Sequence, residues 1–272
     1  MPEDVVTSHD GTPIAVFRAG RADGPALLLV HGAAADHTTF RVIGPMLAAT
    51  FDCYAIDRRG RGASGDTLPY AIEQEFDDLG AVAETVARRR GLPTVDVFGH
   101  SYGGRCALGA ALRSPSVGRV ISYEGAPSPP GERYGPGGLA ADLARLAAEG
   151  RNEELLVRFL VDVVGMTPTE IQRYRADPVW PRRVGAAPTI ARELESEASA
   201  SADLQRLGAV RQPVLQLLGG DSSPTFAGAT HALQARLRDG RVTVIAGAKH
   251  AAHHTHPDAV VDAVRAFLIG TV

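Results

Sequence analysis

Short apolar runs alternate with amphipathic segments along most of this chain. The apolar runs predict strands at residues 26–30, 51–56, 95–98, 119–123, 213–218 and 241–245. The amphipathic segments predict helices at about 39–49, 72–90, 102–113, 226–238 and 258–268. Because buried strands that alternate with helices pair in parallel, the pattern predicts an α/β fold with a doubly wound, mostly parallel sheet. At the start of the chain, period-two segments at 5–8 and 14–18 flank an Asp-Gly turn and predict an N-terminal hairpin.

The alternation of strands and helices stops between Gly125 and Gln212. Proline- and glycine-rich breakers come first, and helical patterns follow at about 139–148, 152–164, 168–176 and 188–199. We interpret this stretch as a helical cap inserted into the α/β core. The predicted division is a first core part at 1–127, the cap at 128–207 and a second core part at 208–272.

The predicted cap contains the candidate substrate-binding residues. Residues 155–164 are apolar on more than one face, so one face is free to pack while another lines a cavity. Phe159 lies in that segment and Trp180 is the single tryptophan of the chain. We predict that both contact substrate, with packing inside the cap as the alternative for each. The apolar face and the scarcity of lysine favour uncharged, moderately hydrophobic substrates.

Ser101 is the candidate nucleophile. The segment Gly-His-Ser-Tyr-Gly-Gly at 99–104 follows an apolar run and precedes a stretch of small residues, so it predicts strand, sharp turn and helix. In a G-x-S-x-G elbow this turn exposes the serine hydroxyl, and the glycines avoid collisions with neighbouring backbone. His100, beside the serine, is expected to point into the fold.

A nucleophilic serine also requires donors for the charge that develops on the substrate oxygen. The buried run at 26–30 ends in His31-Gly32-Ala33, a turn with small residues after it. Backbone N–H groups of Ala33 and Tyr102 are therefore the predicted oxyanion hole. An ordinary loop between a strand and a helix is the alternative interpretation of this turn.

The base and the acid are predicted near the end of the chain. His250 and Asp221 each follow a predicted strand, at the sheet edge where ligands bind in open parallel sheets. Their order after Ser101 is that of the elbow-type triad. Glu124 ends the strand at 119–123 and is the alternative acid. Its other role would be to brace Tyr134 or an arginine.

These residues together resemble the α/β-hydrolase fold family. The matching elements are the His31-Gly32 turn, the loop at 57–64, the elbow at Ser101, Gly220-Asp221, and His250 with a later proline. They span nearly the whole chain in order. The resemblance implies the fold and a Ser-His-Asp triad, with the 57–64 loop as a structural element near the oxyanion turn. Some relatives place the acid at the strand end that Glu124 occupies. A serine at 101 argues against the dehalogenase and epoxide hydrolase branches, for which the resemblance would require an aspartate nucleophile.

Charge and composition limit the other classes of function. The net charge is −3 and the pI is near 6.3, with dispersed arginines, so nothing favours nucleic acid as a partner. The N-terminus lacks a signal-peptide pattern, and no long apolar stretch suggests a membrane, so we expect a cytoplasmic protein of unknown oligomeric state. Cys53 and Cys106 are expected to be buried free thiols.

We expect neither a cofactor nor a metal. His250, His253, His254 and His256 are close in sequence. They share no regular face and lack carboxylates at ligand spacing, so the sequence does not favour a metal site.

The function expected from the sequence is hydrolysis of a small ester or lactone through an acyl-enzyme. Two alternatives remain open at this point. The first is a non-hydrolytic member of the same fold, of the hydroxynitrile lyase or perhydrolase type. The second is a catalytically silent receptor that keeps the fold to bind a ligand.

Overall fold

The computed structural model describes residues 1–197 and 199–270. Its strands are β1 Asp4–Thr7, β2 Pro13–Gly20, β3 Ala26–Val30, β4 Asp52–Ile56, β5 Val95–His100, β6 Val117–Tyr123, β7 Val214–Gly219 and β8 Gly240–Ile245. Its helices are α1 Ile43–Ala48, α2 Ile72–Arg90, α3 Tyr102–Arg113, α4 Leu139–Ala148, α5 Asn152–Asp162, α6 Pro168–Arg175, α7 Trp180–Ala186, α8 Ile190–Ser196, α9 Leu204–Leu207, α10 Pro224–Gln234, α11 Ala252–Thr255 and α12 Pro257–Ile269. Every predicted core strand and helix is present, and most bounds lie within a few residues of the prediction.

The strands form one sheet in the order β1-β2-β4-β3-β5-β6-β7-β8. β2 pairs antiparallel with both β1 and β4, and the other neighbours are parallel. The predicted hairpin and mostly parallel sheet are confirmed. The strand order reverses at β3, so the loops after β3 and β5 diverge and open a crevice at the carboxyl edge, where ligands bind in sheets of this kind.

The core lies on both faces of the sheet. All five residues of β3 are buried, because helices cover it on either side. Leu28 packs in one apolar layer with Phe76 of α2 and Cys106 of α3. Leu27 packs in the opposite layer with Leu47 of α1, as expected for side chains that alternate along a strand. Cys53 and Cys106 are both buried and free, as predicted.

Helices α4 to α8 form a separate apolar cluster over the carboxyl edge of the sheet. Leu143, Leu155 and Ile190 are fully buried in it, and Ala34 from the loop after β3 joins them. The later residues Ala202 and Leu207 pack with the main core instead. The cap boundaries at 128 and 207 stay a prediction. In place of the predicted helix at 188–199, a 3₁₀ turn precedes α8, and residue 198 lies outside the described residues.

Helix α8 meets the core through buried charges as well as apolar contacts. Glu193 accepts hydrogen bonds from Arg58 and Arg61, and Arg58 also pairs with Glu75 at 2.7 Å. The side chains of these four residues, here called the ionic latch, are at most 2% exposed. Two positive and two negative charges balance one another, as burial of charge requires. Along the part of the chain that the structure describes, no helix is both long and apolar enough to cross a membrane.

Candidate active site

Ser101 occupies a strained turn between β5 and α3. Its φ is 55° and its ψ is −126°, a backbone conformation that residues other than glycine rarely adopt. Its N–H donates to Tyr123 O at 2.7 Å, which ties the turn to β6. A Cβ at Gly103 would meet His31 O at 2.4 Å, so only glycine allows α3 to approach the loop after β3. The predicted elbow geometry is present.

The loop after β3 lies directly beside the elbow. A Cβ on Gly32 would stand 2.9 Å from Ser101 Cβ. The Gly32 carbonyl accepts from His31 Nδ1 at 2.8 Å and from Arg58 Nη1 at 3.1 Å. Because a trans peptide points its C=O and N–H in opposite directions, we expect the Ala33 N–H to face away from His31 and Arg58.

His31 keeps one tautomer in this arrangement. Its Nε2 accepts from Arg58 N–H at 3.0 Å, so the ring proton sits on Nδ1 and is donated to Gly32 O. Burial, together with the positive charges of Arg58 and Arg61, lowers the pKa of His31 to about 3. Arg58, in the loop at 57–64, therefore holds the His31-Gly32 turn, which agrees with the structural part that the resemblance implies for this loop. Tyr102 begins α3, and the N–H groups of a first helical turn have no acceptor inside the helix.

His250 pairs with Glu124. Its Nδ1 lies 2.5 Å from Glu124 Oε2, and the two side chains are 7% and 0% exposed. The other carboxylate oxygen of Glu124 accepts from Gly219 N–H at 2.8 Å and from Ser222 Oγ at 2.5 Å. A buried carboxylate with three donors is held in one orientation.

The structure corrects the first choice of acid. Asp221 is exposed, its N–H donates to Ala248 O at 2.8 Å, and its carboxylate does not bond His250. The turn that contains Asp221 still serves the pair, because Gly219 and Ser222 hold the Glu124 carboxylate. Glu124 follows β6, two strands away from β8 and His250, whereas Asp221 follows the adjacent strand β7. The longer side chain of Glu124 and its positive φ of 48° bring the carboxylate across the end of β7.

His100 and Tyr123 hold the loop that contains His250 in place. The sequence indicated neither residue for this role. His100 Nε2 donates to the His250 carbonyl at 2.9 Å. The Tyr123 hydroxyl donates to Lys249 O and accepts from Ala252 N–H at 3.0 Å. Burial lowers the pKa of His100 well below its usual value, so the ring stays neutral. In the sequence, the signal for this role of Tyr123 is its position directly before Glu124.

The other histidines near His250 do not form a metal centre of converging ligand atoms. Within residues 1–197 and 199–270, the one group that meets this criterion is Asp36, His37 and Asp57. Its oxygens already serve neighbours, since Asp36 pairs with Arg183 at 2.8 Å and Asp57 with His37 at 2.7 Å. The site therefore resembles an internal hydrogen-bonded network more than a ligand set.

Two cavities meet at Ser101. The larger one, about 590 Å³, also contains His250 and is lined by Leu156, Phe159 and Leu160 of α5. The smaller one, about 30 Å³, contains Tyr102 and Glu124 in its wall. Ala33, Ser101 and Phe159 border both.

Phe159 and Trp180 differ in their relation to these cavities. Phe159 faces both, whereas Trp180 lines neither. Trp180 packs edge to face on Tyr174, with ring centroids 5.4 Å apart. Its predicted contact with substrate is thus replaced by packing within the cap, the alternative interpretation, and Tyr174 forms the cavity wall in its place.

A family model described as the alpha/beta hydrolase family matches residues 27–263. This chain belongs to the alpha/beta hydrolase family. A crystal structure of an alpha/beta hydrolase from Sphaerobacter thermophilus superposes with a TM-score of 0.81 at 29% identity, over 97% of this chain and 99% of that one.

Two curated relatives of this alpha/beta hydrolase have named activities. A pimeloyl-[acyl-carrier protein] methyl ester esterase of Neisseria meningitidis is 28% identical over 90% of this chain and 77% of its own length. An N-formylmaleamate deformylase of Pseudomonas putida is 34% identical, but the match spans 43% of each protein. Hydrolases with different named activities are therefore similar to this chain.

Proposed function

We propose that this alpha/beta hydrolase cleaves small carboxylic esters or lactones through an acyl-enzyme. The observation that carries the proposal is the buried pair of His250 and Glu124 at 2.5 Å, which opens onto the cavity that contains Ser101. A carboxylate on Nδ1 fixes the tautomer that leaves Nε2 free to accept the serine proton.

The chemistry proceeds in two halves. His250 Nε2 takes the Ser101 proton while Oγ attacks the carbonyl carbon, and the Ala33 and Tyr102 N–H groups stabilise the oxyanion. The imidazolium, stabilised by Glu124, gives its proton to the leaving oxygen as the carbon–oxygen bond breaks. Water then attacks the acyl-enzyme with His250 as base and releases the acid, which restores Ser101.

The large cavity supports an uncharged, moderately hydrophobic substrate. Leu156, Phe159 and Leu160 contribute apolar wall beside Ser101. Four of the charged side chains in the wall form two pairs, Lys249 with Glu170 at 3.1 Å and Arg41 with Asp177 at 2.5 Å. An apolar substrate body with one polar carbonyl suits such a cavity.

The test combines active-site labelling with turnover. We expect a fluorophosphonate probe to label Ser101 and p-nitrophenyl acetate to be hydrolysed. Ser101→Ala should abolish labelling and lower kcat by several orders of magnitude, on the order of 10⁶ for loss of a triad nucleophile. Undiminished hydrolysis by a folded Ser101→Ala protein would refute the proposal. Labelling without hydrolysis of any ester or lactone would instead favour the non-hydrolytic chemistry that this fold also supports.

A further inference from the structure

The two cavities at Ser101 differ about twentyfold in volume, at about 590 and 30 Å³. Since a single water needs roughly 10 to 15 Å³ of this kind of space, the smaller cavity has room for only two or three water-sized groups in all. The larger one has room for a ring system. Such an asymmetry affects the choice of substrate only if each cavity receives a defined part of it.

The position of His250 indicates which part of the substrate enters which cavity. The base that takes the serine proton must return it to the leaving oxygen, so the leaving group departs on the side of the imidazole. His250 lines the large cavity and not the small one. The acyl substituent, on the other side of the carbonyl carbon, is directed toward the small cavity.

Charged groups make the wall of the small cavity resistant to expansion. Arg105 is 3% exposed, its Nη2 donates to Ala126 O at 3.1 Å, and its Nη1 lies 3.2 Å from Glu197 Oε1. Glu193 of the ionic latch forms another part of this wall. Displacing either group separates opposite charges in a low-dielectric interior, which costs more than moving an apolar side chain.

We propose that this enzyme is specific for short acyl groups, acetyl in size, attached to leaving groups that are much larger. Selectivity for the acid part is strict and selectivity for the alcohol part is broad. This inference rests on the proposed serine hydrolase function and narrows its substrates to open-chain esters, because the ring of a lactone ties the acyl part to the leaving oxygen.

The first test is a pair of substrate series with the unmodified protein. Along p-nitrophenyl acetate, butyrate and octanoate, kcat/KM should fall at least about tenfold at the first step and further at the second, because the added methylenes together exceed the small cavity. In the acetate series, replacing the phenyl by the 1-naphthyl leaving group should change kcat/KM by less than about fivefold, since the large cavity accepts both.

Two matched leucine variants locate the determinant. Leu194 lines only the small cavity, and Leu160 lines only the large one. Leu194→Ala should raise the butyrate-to-acetate ratio of kcat/KM about tenfold by removing wall atoms next to the acyl group. Leu160→Ala should leave that ratio within about twofold, as an independent site does.

The possible failures are distinguishable. Hydrolysis of butyrate at least as fast as acetate, with Ser101 labelled, would overturn the short-acyl inference and leave the serine hydrolase function intact. An unlabelled Ser101 with no ester turned over would overturn the proposed function and the inference with it. An unchanged ratio in a folded Leu194→Ala protein would show that the acyl group lies elsewhere, in the large cavity.

Discussion

Individual residues at the site adopt backbone conformations that the other described non-glycine residues avoid. Among the described residues, the non-glycine residues with positive φ are Ala34, Ser101 and Glu124. One follows the predicted oxyanion turn, one is the candidate nucleophile and one is the candidate acid. Each such conformation costs on the order of 1–3 kcal/mol and persists only where the surroundings impose it. The strain is therefore concentrated where side chains must project over the carboxyl edge of the sheet.

The two candidate acids give opposite predictions for amide substitution. Glu124→Gln should lower kcat for p-nitrophenyl acetate roughly 10³- to 10⁴-fold, because an amide no longer stabilises the imidazolium and permits the wrong tautomer. Asp221→Asn should change kcat by less than about twofold, since its side chain is exposed and distant from His250 in the hydrogen-bond network. Steady-state kinetics of both folded variants, checked by circular dichroism, make the comparison. Greater damage in the Asp221 variant would reverse the assignment.

At the scale of elements, α8 joins the other cap helices to the core through a fully buried group of charges. Its Glu193 reaches two arginines of the loop after β4, and its Ser196 hydroxyl contacts the hydroxyl of Tyr102 in α3. Both contacts end on residues beside the oxyanion turn or the elbow. The cap is thereby positioned by the same groups that shape the site.

Removing one charge of the ionic latch should destabilise the protein strongly. Glu193→Gln leaves Arg58 and Arg61 with Glu75 alone, and an uncompensated buried charge costs about 3–5 kcal/mol of unfolding free energy. Glu195→Gln is the matched control on the same helix, because Glu195 is exposed and its substitution should cost about 0.5 kcal/mol or less. Urea unfolding of both variants measures the difference, and equal midpoints would contradict the role of the latch.

Across the whole molecule, burial lowers the pKa of several histidines. Burial, together with the charge of Arg41 and Arg183, lowers the pKa of His254 to about 4. Burial likewise lowers the pKa of His100 and of His253 well below the usual value. The unfolded chain, in which histidine titrates near 6.5, binds protons that the folded chain excludes.

Stability should therefore fall as the pH drops from about 6.5 toward 4. Each excluded proton contributes up to about 1.4 kcal/mol of unfolding free energy per pH unit in that window. His254→Gln removes one such group and should reduce this slope by up to that amount. Urea unfolding at several values between about pH 4.5 and 7 measures it, and an unchanged slope in the variant would show that His254 does not contribute.

The sequence predicted the features that depend on local pattern, and the structure added those that depend on distant contacts. The strands and the elbow follow from apolar runs and from the glycines around Ser101. The choice of Glu124 over Asp221 depends on which carboxylate reaches His250 across neighbouring strand ends. The spacing of these residues along the sequence does not determine the distance between their side chains in the fold. The pairing of Arg58 with Glu193 joins residues 135 positions apart, so no local signal indicates it.

Anchoring of the cap by charge also determines how the active site responds to heat. The hydration of charged groups becomes less favourable as temperature rises, so burying the ionic latch costs less in a warm solution than in a cold one. Apolar contacts between cap and core gain no comparable advantage. We therefore expect the share of the ionic latch in holding α8, and with it the part of the small cavity wall formed by Glu193 and Leu194, to grow as the temperature rises.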